Sequence, residues 1–264
     1  MCSATERIVT DGVDVRGVTS VGGELFVLLH RRFDQVAVYC INDHQLLRHL
    51  SLSGVKLQEF NDLTSCVRHK CLYASDVVNR YILRYELATS ATSKWSVPGE
   101  PYGLSITPSG NLLVTCQRPN KLVELSVDSG QCVREIALQS DIVRPWHGVQ
   151  LTTGQYVVCH GSRNTLDRVC MVDDAGRVTR SYDDESGCDV GQLYWSRHLA
   201  VDEDSQFIFV ADRFNRRVVM LSPTLEFVRY ISEGLSRPHK LYLHHSTRRL
   251  YVGQWLGDVV VIQL

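Results

Sequence analysis

Residues 210–218 read Val210-Ala211-Asp212-Arg213-Phe214-Asn215-Arg216-Arg217-Val218, and residues 74–82 repeat the pattern as Ala74-Ser75-Asp76-Val77-Val78-Asn79-Arg80-Tyr81-Ile82. In both, an apolar run ends on Asp, a polar turn carries an Asn three residues later, and a run rich in β-branched residues follows. That order spells strand, turn, strand. The Asn or Asp before the second of these strands recurs as Asp34, Asn79, Asn120, Asp167, Asn215 and Asp258. Short side-chain oxygens bond nearby backbone, so these residues, with Asp76 and Asp212, are read as turn stabilisers and not as catalytic carboxylates.

Working outward, each such pair is preceded by a strand opening on Val18, Leu63, Leu104, Val149, Leu199 or Leu241, a recurrence of 41 to 50 residues. A fourth alternating run closes the first five units. The sixth unit stops at Leu264 after three strands, while Glu6-Arg7-Ile8-Val9 matches the fourth-strand runs Val133-Arg134-Glu135-Ile136 and Val228-Arg229-Tyr230-Ile231. Four-stranded units cannot bury both faces alone and stack radially. The expectation is an all-β chain: one six-bladed β-propeller of four-stranded antiparallel blades over residues 1–264. Its blades start near residues 16, 61, 102, 147, 197 and 239, and residues 6–10 complete the last blade, which removes the open sheet edges.

The 210–218 motif resembles the signature of NHL repeats, which 74–82 shares and the other units carry more loosely. The resemblance implies the NHL-type propeller found at the carboxy end of tripartite-motif proteins of the ubiquitin-ligase class. There such a domain selects substrates, and some members bind RNA. The sequence contains no RING, B-box or coiled coil, so the expectation is the recognition end of such a protein.

Composition narrows the classes. The 264 residues are 44% apolar and 22% charged, enough for a core, and a formal charge of −1 gives no overall attraction to nucleic acid or anionic lipid. No apolar run approaches the roughly 18 residues of a membrane span, and the start lacks an apolar signal core. Nine cysteines sit mostly inside apolar runs with no C-x-x-C. Buried free thiols and a cytoplasmic setting are expected.

In a propeller, the loops entering the first strand and those joining the second to the third share a face. The second-to-third loops are rich in Arg, whose planar donors and aromatic stacking suit recognition. Arg31, Arg32, Arg118, Arg163, Arg168, Arg213, Phe214, Arg216, Arg217 and Arg237 are the candidate binding residues, with Tyr102, Trp146, Trp195 and Trp255 as candidate anchors. Two residues before each opening position stand Arg16, Asn61, Tyr102, His147, Arg197 and His239, read as a ring at the mouth of the channel. That ring has no carboxylate for Ca²⁺. Arg237-Pro238-His239-Lys240-Leu241 and Trp146-His147-Gly148-Val149 resemble the zinc-holding context of peptidylglycine amidating lyase. Here, however, Asn61 stands as third ligand and His198 is displaced by one residue, which turns it away, so no metal and no cofactor are expected. No H-E-x-x-H, G-x-S-x-G, P-loop or G-x-G-x-x-G occurs, and the chain is expected not to be an enzyme. The expected partner is a protein or peptide on the Arg-rich face, with RNA as the alternative and a metal-dependent lyase or lactonase ranked after both. Membranes and nucleotide cofactors are not expected.

Overall fold

The computed structural model describes residues 6–10, 12–30, 35–50, 60–162, 165–182, 187, 189, 191–255 and 257–264. They form six four-stranded antiparallel sheets and one short turn of helix. Blade one is β2 (Asp14–Val21), β3 (Glu24–His30), β4 (Gln35–Cys40) and β5 (Leu46–Leu50), in that order from the axis outward. The next four blades repeat this order, with innermost strands β6 (Phe60–Cys66), β10 (Glu100–Ile106), β14 (Pro145–Gln150) and β18 (Ser196–Val201).

The sixth blade closes the ring. Its chain-order strands β22 (Pro238–His244), β23 (Arg249–Gln254) and β24 (Val259–Gln263) take β1 (Glu6–Ile8) as their outer fourth, with Glu6 opposite Val261 and Ile8 opposite Val259. Ile8 is buried in the core shared by blades six and one, and the Thr10 hydroxyl donates to the Gly257 carbonyl at 2.9 Å.

The core is six wedges, one between each pair of neighbouring blades. Strand periodicity fills them: Phe26 and Leu28 of β3 face blade two, whereas Leu25, Val27 and Leu29 face blade six. Inner strands are therefore apolar on both faces, and the outermost, such as β5, are exposed. Five cysteines (66, 71, 116, 159 and 170) are buried free thiols within this packing.

One irregularity positions the site. Every innermost strand carries a register shift near its start, at Val15/Gly17, Phe60/Leu63, Pro101/Gly103, Pro145/His147, Ser196/Leu199 and Pro238/Lys240. A bulge re-aims side chains, and here it presents residues from all six blades to the axis. Gly17 and Gly103 are required by the crowding this creates. A Cβ on Gly17 would overlap Leu63, and one on Gly103 would lie 2.6 Å from the Trp146 carbonyl oxygen and 2.9 Å from the His147 ring.

Candidate functional site

The bulges build two layers on the axis. In the outer layer, Arg16, Asn61, Tyr102, Trp146, Arg197 and His239 line a cavity of about 370 Å³. His30, Val77, Arg213 and Trp255, from the ends of second strands, complete its wall. Among the described residues this lining contains three Arg and two His and no carboxylate.

The cations are held by aromatic rings. The Arg197 guanidinium carbon lies 3.3 Å from the Trp146 ring centroid and 4.3 Å from that of Trp195. Arg213 lies over Trp255 at 4.2 Å, and Arg16 lies over the same ring at 4.4 Å. Arg16 also donates to Asn61 Oδ1 at 3.4 Å and stands 3.7 Å from Asp14. Stacked, partly desolvated cations of this kind gain from the ring faces while keeping their in-plane N–H donors available. Burial, with Arg213 adding like-charge repulsion, pushes the Arg197 pKa down to about 8. Burial also pushes His239 far below the usual imidazole range, helped by Lys240, Arg213, Arg197 and Arg16, so its ring is neutral.

One residue deeper lies a closed polar hub. Asp62 of blade two accepts from the backbone N–H of Leu63 at 3.0 Å and from that of Leu104 in blade three at 2.8 Å. It also meets His198 Nε2 at 3.2 Å, His147 Nε2 at 3.7 Å and Lys240 Nζ at 3.0 Å, from blades five, four and six. One carboxylate thus ties five blades together. The His147 and His198 rings stack at 3.6 Å. His147 donates through Nε2 to the Leu104 carbonyl at 3.0 Å, and His198 Nδ1 accepts from the Leu241 N–H at 3.3 Å. Burial alone would raise the Asp62 pKa, yet Lys240 and His198 outweigh it and hold the carboxyl well below the usual range. Both histidines are driven down by burial and stay neutral.

Asp62, His147 and His198 bring three ligand-type atoms within 4.8 Å of one another. The donor chemistry fits a metal poorly, because the Lys240 ammonium already occupies the cation position on Asp62 and backbone N–H groups engage both its oxygens.

The sequence-derived ring therefore needs one correction. Five of its six members line the cavity, but His147 belongs to the deeper hub, and Trp146 takes its place. The bulge in β14 sets Gly148 opposite Val158, as Leu104 stands opposite Val114 in blade three. The opening position of blade four is thus Gly148 and not Val149, a shift of one residue. His198, expected to turn away, is likewise carried inward beside His147.

The Arg-rich set divides. Arg213 reaches the cavity with Phe214 beside it, the latter 4.5 Å from Trp195. Arg237 is exposed and lies over Phe214 at 5.7 Å, and Arg216 is exposed with Nε bonded to the Leu235 carbonyl at 2.8 Å. Arg217 is not a surface donor: it is buried, with Nε on Asp212 at 2.8 Å and Nη2 on the Asp189 and Gln192 carbonyls, and it pins the segment leading into blade five. Arg118 pairs with Glu100 at 3.0 Å and Arg168 with Asp141 at 3.8 Å. Arg31, Arg32 and Arg163 lie outside the described residues. Asp76 and Asp212 cap their turns through Asn79 and Asn215.

No family model and no curated protein matches the chain. Solved structures do share its fold. A hydrazine synthase chain from Kuenenia stuttgartiensis is 14% identical, with 97% of each chain covered and a TM-score of 0.68. Virginiamycin B lyase from Staphylococcus aureus is 11% identical, with 99% of this chain and 98% of that one covered and a TM-score of 0.67. A streptogramin B lyase is 12% identical, with 99% and 87% covered and a TM-score of 0.69.

These neighbours overturn the expectation that the chain is not an enzyme. Full-length propellers of this architecture include named lyases and a synthase, so the absence of linear motifs excludes nothing. The physical reason is plain in the site itself: its side chains come one or two from each blade, and no contiguous motif marks such a constellation. Among the described residues, no helix is long and apolar enough to cross a membrane.

Proposed function

We propose that this propeller binds a protein or peptide partner on its Arg- and aromatic-bearing face, with part of the partner anchored in the axial cavity. The observation that carries the reading is the convergence of Arg16, Arg197, Arg213, Trp146, Trp255 and Tyr102 on one concave site whose lining holds no acid. Arg, Trp and Tyr are the residues that dominate binding energy at protein interfaces. The NHL-like motif at 210–218 supports placing the partner among proteins selected for ubiquitination, and the buried thiols support a reducing, cytoplasmic setting.

Selection from a displayed peptide library tests this. Peptides enriched on the wild-type chain are expected to bind at least about tenfold more weakly to Tyr102→Ala, consistent with loss of an aromatic anchor. Single-stranded RNA is expected not to compete. Competition by RNA with a log-log salt slope of about −0.7 per phosphate neutralised would transfer the site to nucleic acid.

A second reading is catalysis in the same cavity. The fold likeness to lyases supports it, as does His239, whose two ring nitrogens have no hydrogen-bond partner among the described residues and so are open to a substrate. A selected ligand recovered chemically altered from the wild type, but intact from His239→Ala, would establish that reading.

A further inference from the structure

We propose that the axial cavity is a carboxylate site, with Arg197 the anchoring cation and His239 pairing with a polar group beside the carboxylate. This rests on the reading that a ligand enters the cavity, and it adds what the ligand must carry.

Arg197 is 9% exposed, and no carboxylate among the described residues forms an ion pair with it, Asp167 acting on it only from beyond that distance. Its Nε has no acceptor among the described residues. A buried cation left without an anion is costly, and proteins pair or neutralise such groups. The two tryptophans stabilise its charge without supplying what its hydrogens need. Trp146 and Trp195 lie against the guanidinium at 3.3 and 4.3 Å from its central carbon and offer it no hydrogen-bond acceptor. Its N–H donors are what a ligand can engage. An anion presenting two oxygens fits such donors, and in a buried, ring-lined site a singly charged carboxylate costs less to desolvate than a phosphate dianion.

His239 is the independent second mark. It is 5% exposed, lines the same cavity, and has no hydrogen-bond partner at either ring nitrogen among the described residues. Its edge packs against Trp255 with ring centroids 5.1 Å apart. A neutral imidazole offers one N–H and one lone pair, and a buried site holding both unused is built for a ligand group. The cavity volume equals on the order of a dozen waters at about 30 Å³ each, which suits an amino-acid-sized acid. Such a carboxylate has two sources, a peptide's own terminus or acidic side chain and a free small acid.

Calorimetry on the full chain at neutral pH separates these. The probes are N-acetylphenylalanine, its primary amide, inorganic phosphate, and one library-selected peptide with free and with amidated carboxy terminus. The acid is expected to bind at least about tenfold tighter than the amide, and tighter than phosphate, which is the scale of a charge-assisted pair. In Arg197→Met the acid should lose that advantage while the melting temperature does not fall, because a buried charge without an ion pair is exchanged for an apolar chain of similar reach that still packs on the tryptophans. A structural Arg197 would instead lower the melting temperature. Equal binding of acid and amide, no binding of either, or tighter binding of phosphate would overturn the proposal, and none of these comparisons needs the variant. Peptides that bind regardless of any carboxylate would keep the recognition reading and remove this one. An acid that binds where no peptide does would do the reverse.

Discussion

Asp62→Ala is expected to lower the stability of the propeller by about 3–5 kcal/mol, the range for removing one partner of a buried ion pair. For a chain of this size that corresponds to a fall in melting temperature of roughly 10 °C. The effect is large because the substitution does not merely delete contacts. It leaves the Lys240 ammonium, 4% exposed, without its anion, and it leaves the Leu104 and Leu63 N–H groups without acceptors. It also cuts a group that touches five blades on the axis. Lys240→Met alone should destabilise by a similar mechanism, stranding the carboxylate. The double variant Asp62→Leu with Lys240→Met should be more stable than either single change, since an apolar pair avoids both desolvation costs. Thermal melts of the four proteins check this, and a shift of less than 2 °C for Asp62→Ala would show that the hub is not stabilising.

Acidification is the second large effect. His147, His160, His198 and His239 are all buried, and burial lowers each pKa, that of His160 to about 4. A histidine whose folded pKa is depressed contributes stability that is fully present above its unfolded value near 6.5 and is lost as pH falls below it, because the unfolded chain takes up the proton first. Asp212 acts in the opposite sense. Burial raises its pKa to about 6 against the donors Tyr194, Asn215 and Arg217, so between about pH 6 and 4 the folded state holds its proton more readily. His44 and His244, which burial also lowers, act with these four histidines, and Asp14, which burial raises, acts with Asp212; the histidines outnumber the carboxyls, so stability falls as the pH drops below 6.5. The lowered pKa of Asp62 adds further loss only below its ordinary value of 3.8. Melting temperature measured from pH 7.5 to 4.5 should be flat above 6.5 and drop steeply below 6. His160→Gln should blunt the drop. A flat profile to pH 5 would contradict the neutral buried histidines.

The architecture was readable because a propeller repeats itself. Each wedge of core needs apolar residues on both faces of the inner strands, so six similar runs appear at similar spacing, and the match of Glu6-Arg7-Ile8-Val9 to the outer strands gave the closure. The axis was readable only in part. Five cavity residues followed from counting back from the opening apolar residue, but Gly148 is silent to a hydrophobic pattern and moved blade four by one position. The hub escaped because its members are consecutive neighbours of the ring residues, and only the bulges turn both inward. A signal did exist in Asp62, His198 and Lys240, each of which stands one residue before an opening Leu. Arg217 shows the opposite error. As part of an Arg-rich turn it reads as surface, whereas its bond to Asp212 makes it internal. Exchanging Arg213 and Arg217 for Glu, an obvious probe from sequence, would therefore place a second carboxylate against Asp212 and damage the fold as well as the face.

The four tryptophans allow the central assignment to be read directly. Trp146 and Trp255 line the axial cavity and Trp195 stacks on Arg197 beside it, whereas Trp95 packs on Tyr73 in the wedge between blades two and three. In a ¹⁵N-labelled sample, titration with a library-selected peptide should move the indole signals of Trp146, Trp195 and Trp255 and leave that of Trp95 in place. A peptide that binds while those three signals stay fixed would show that the axial cavity is not where this molecule meets its ligand.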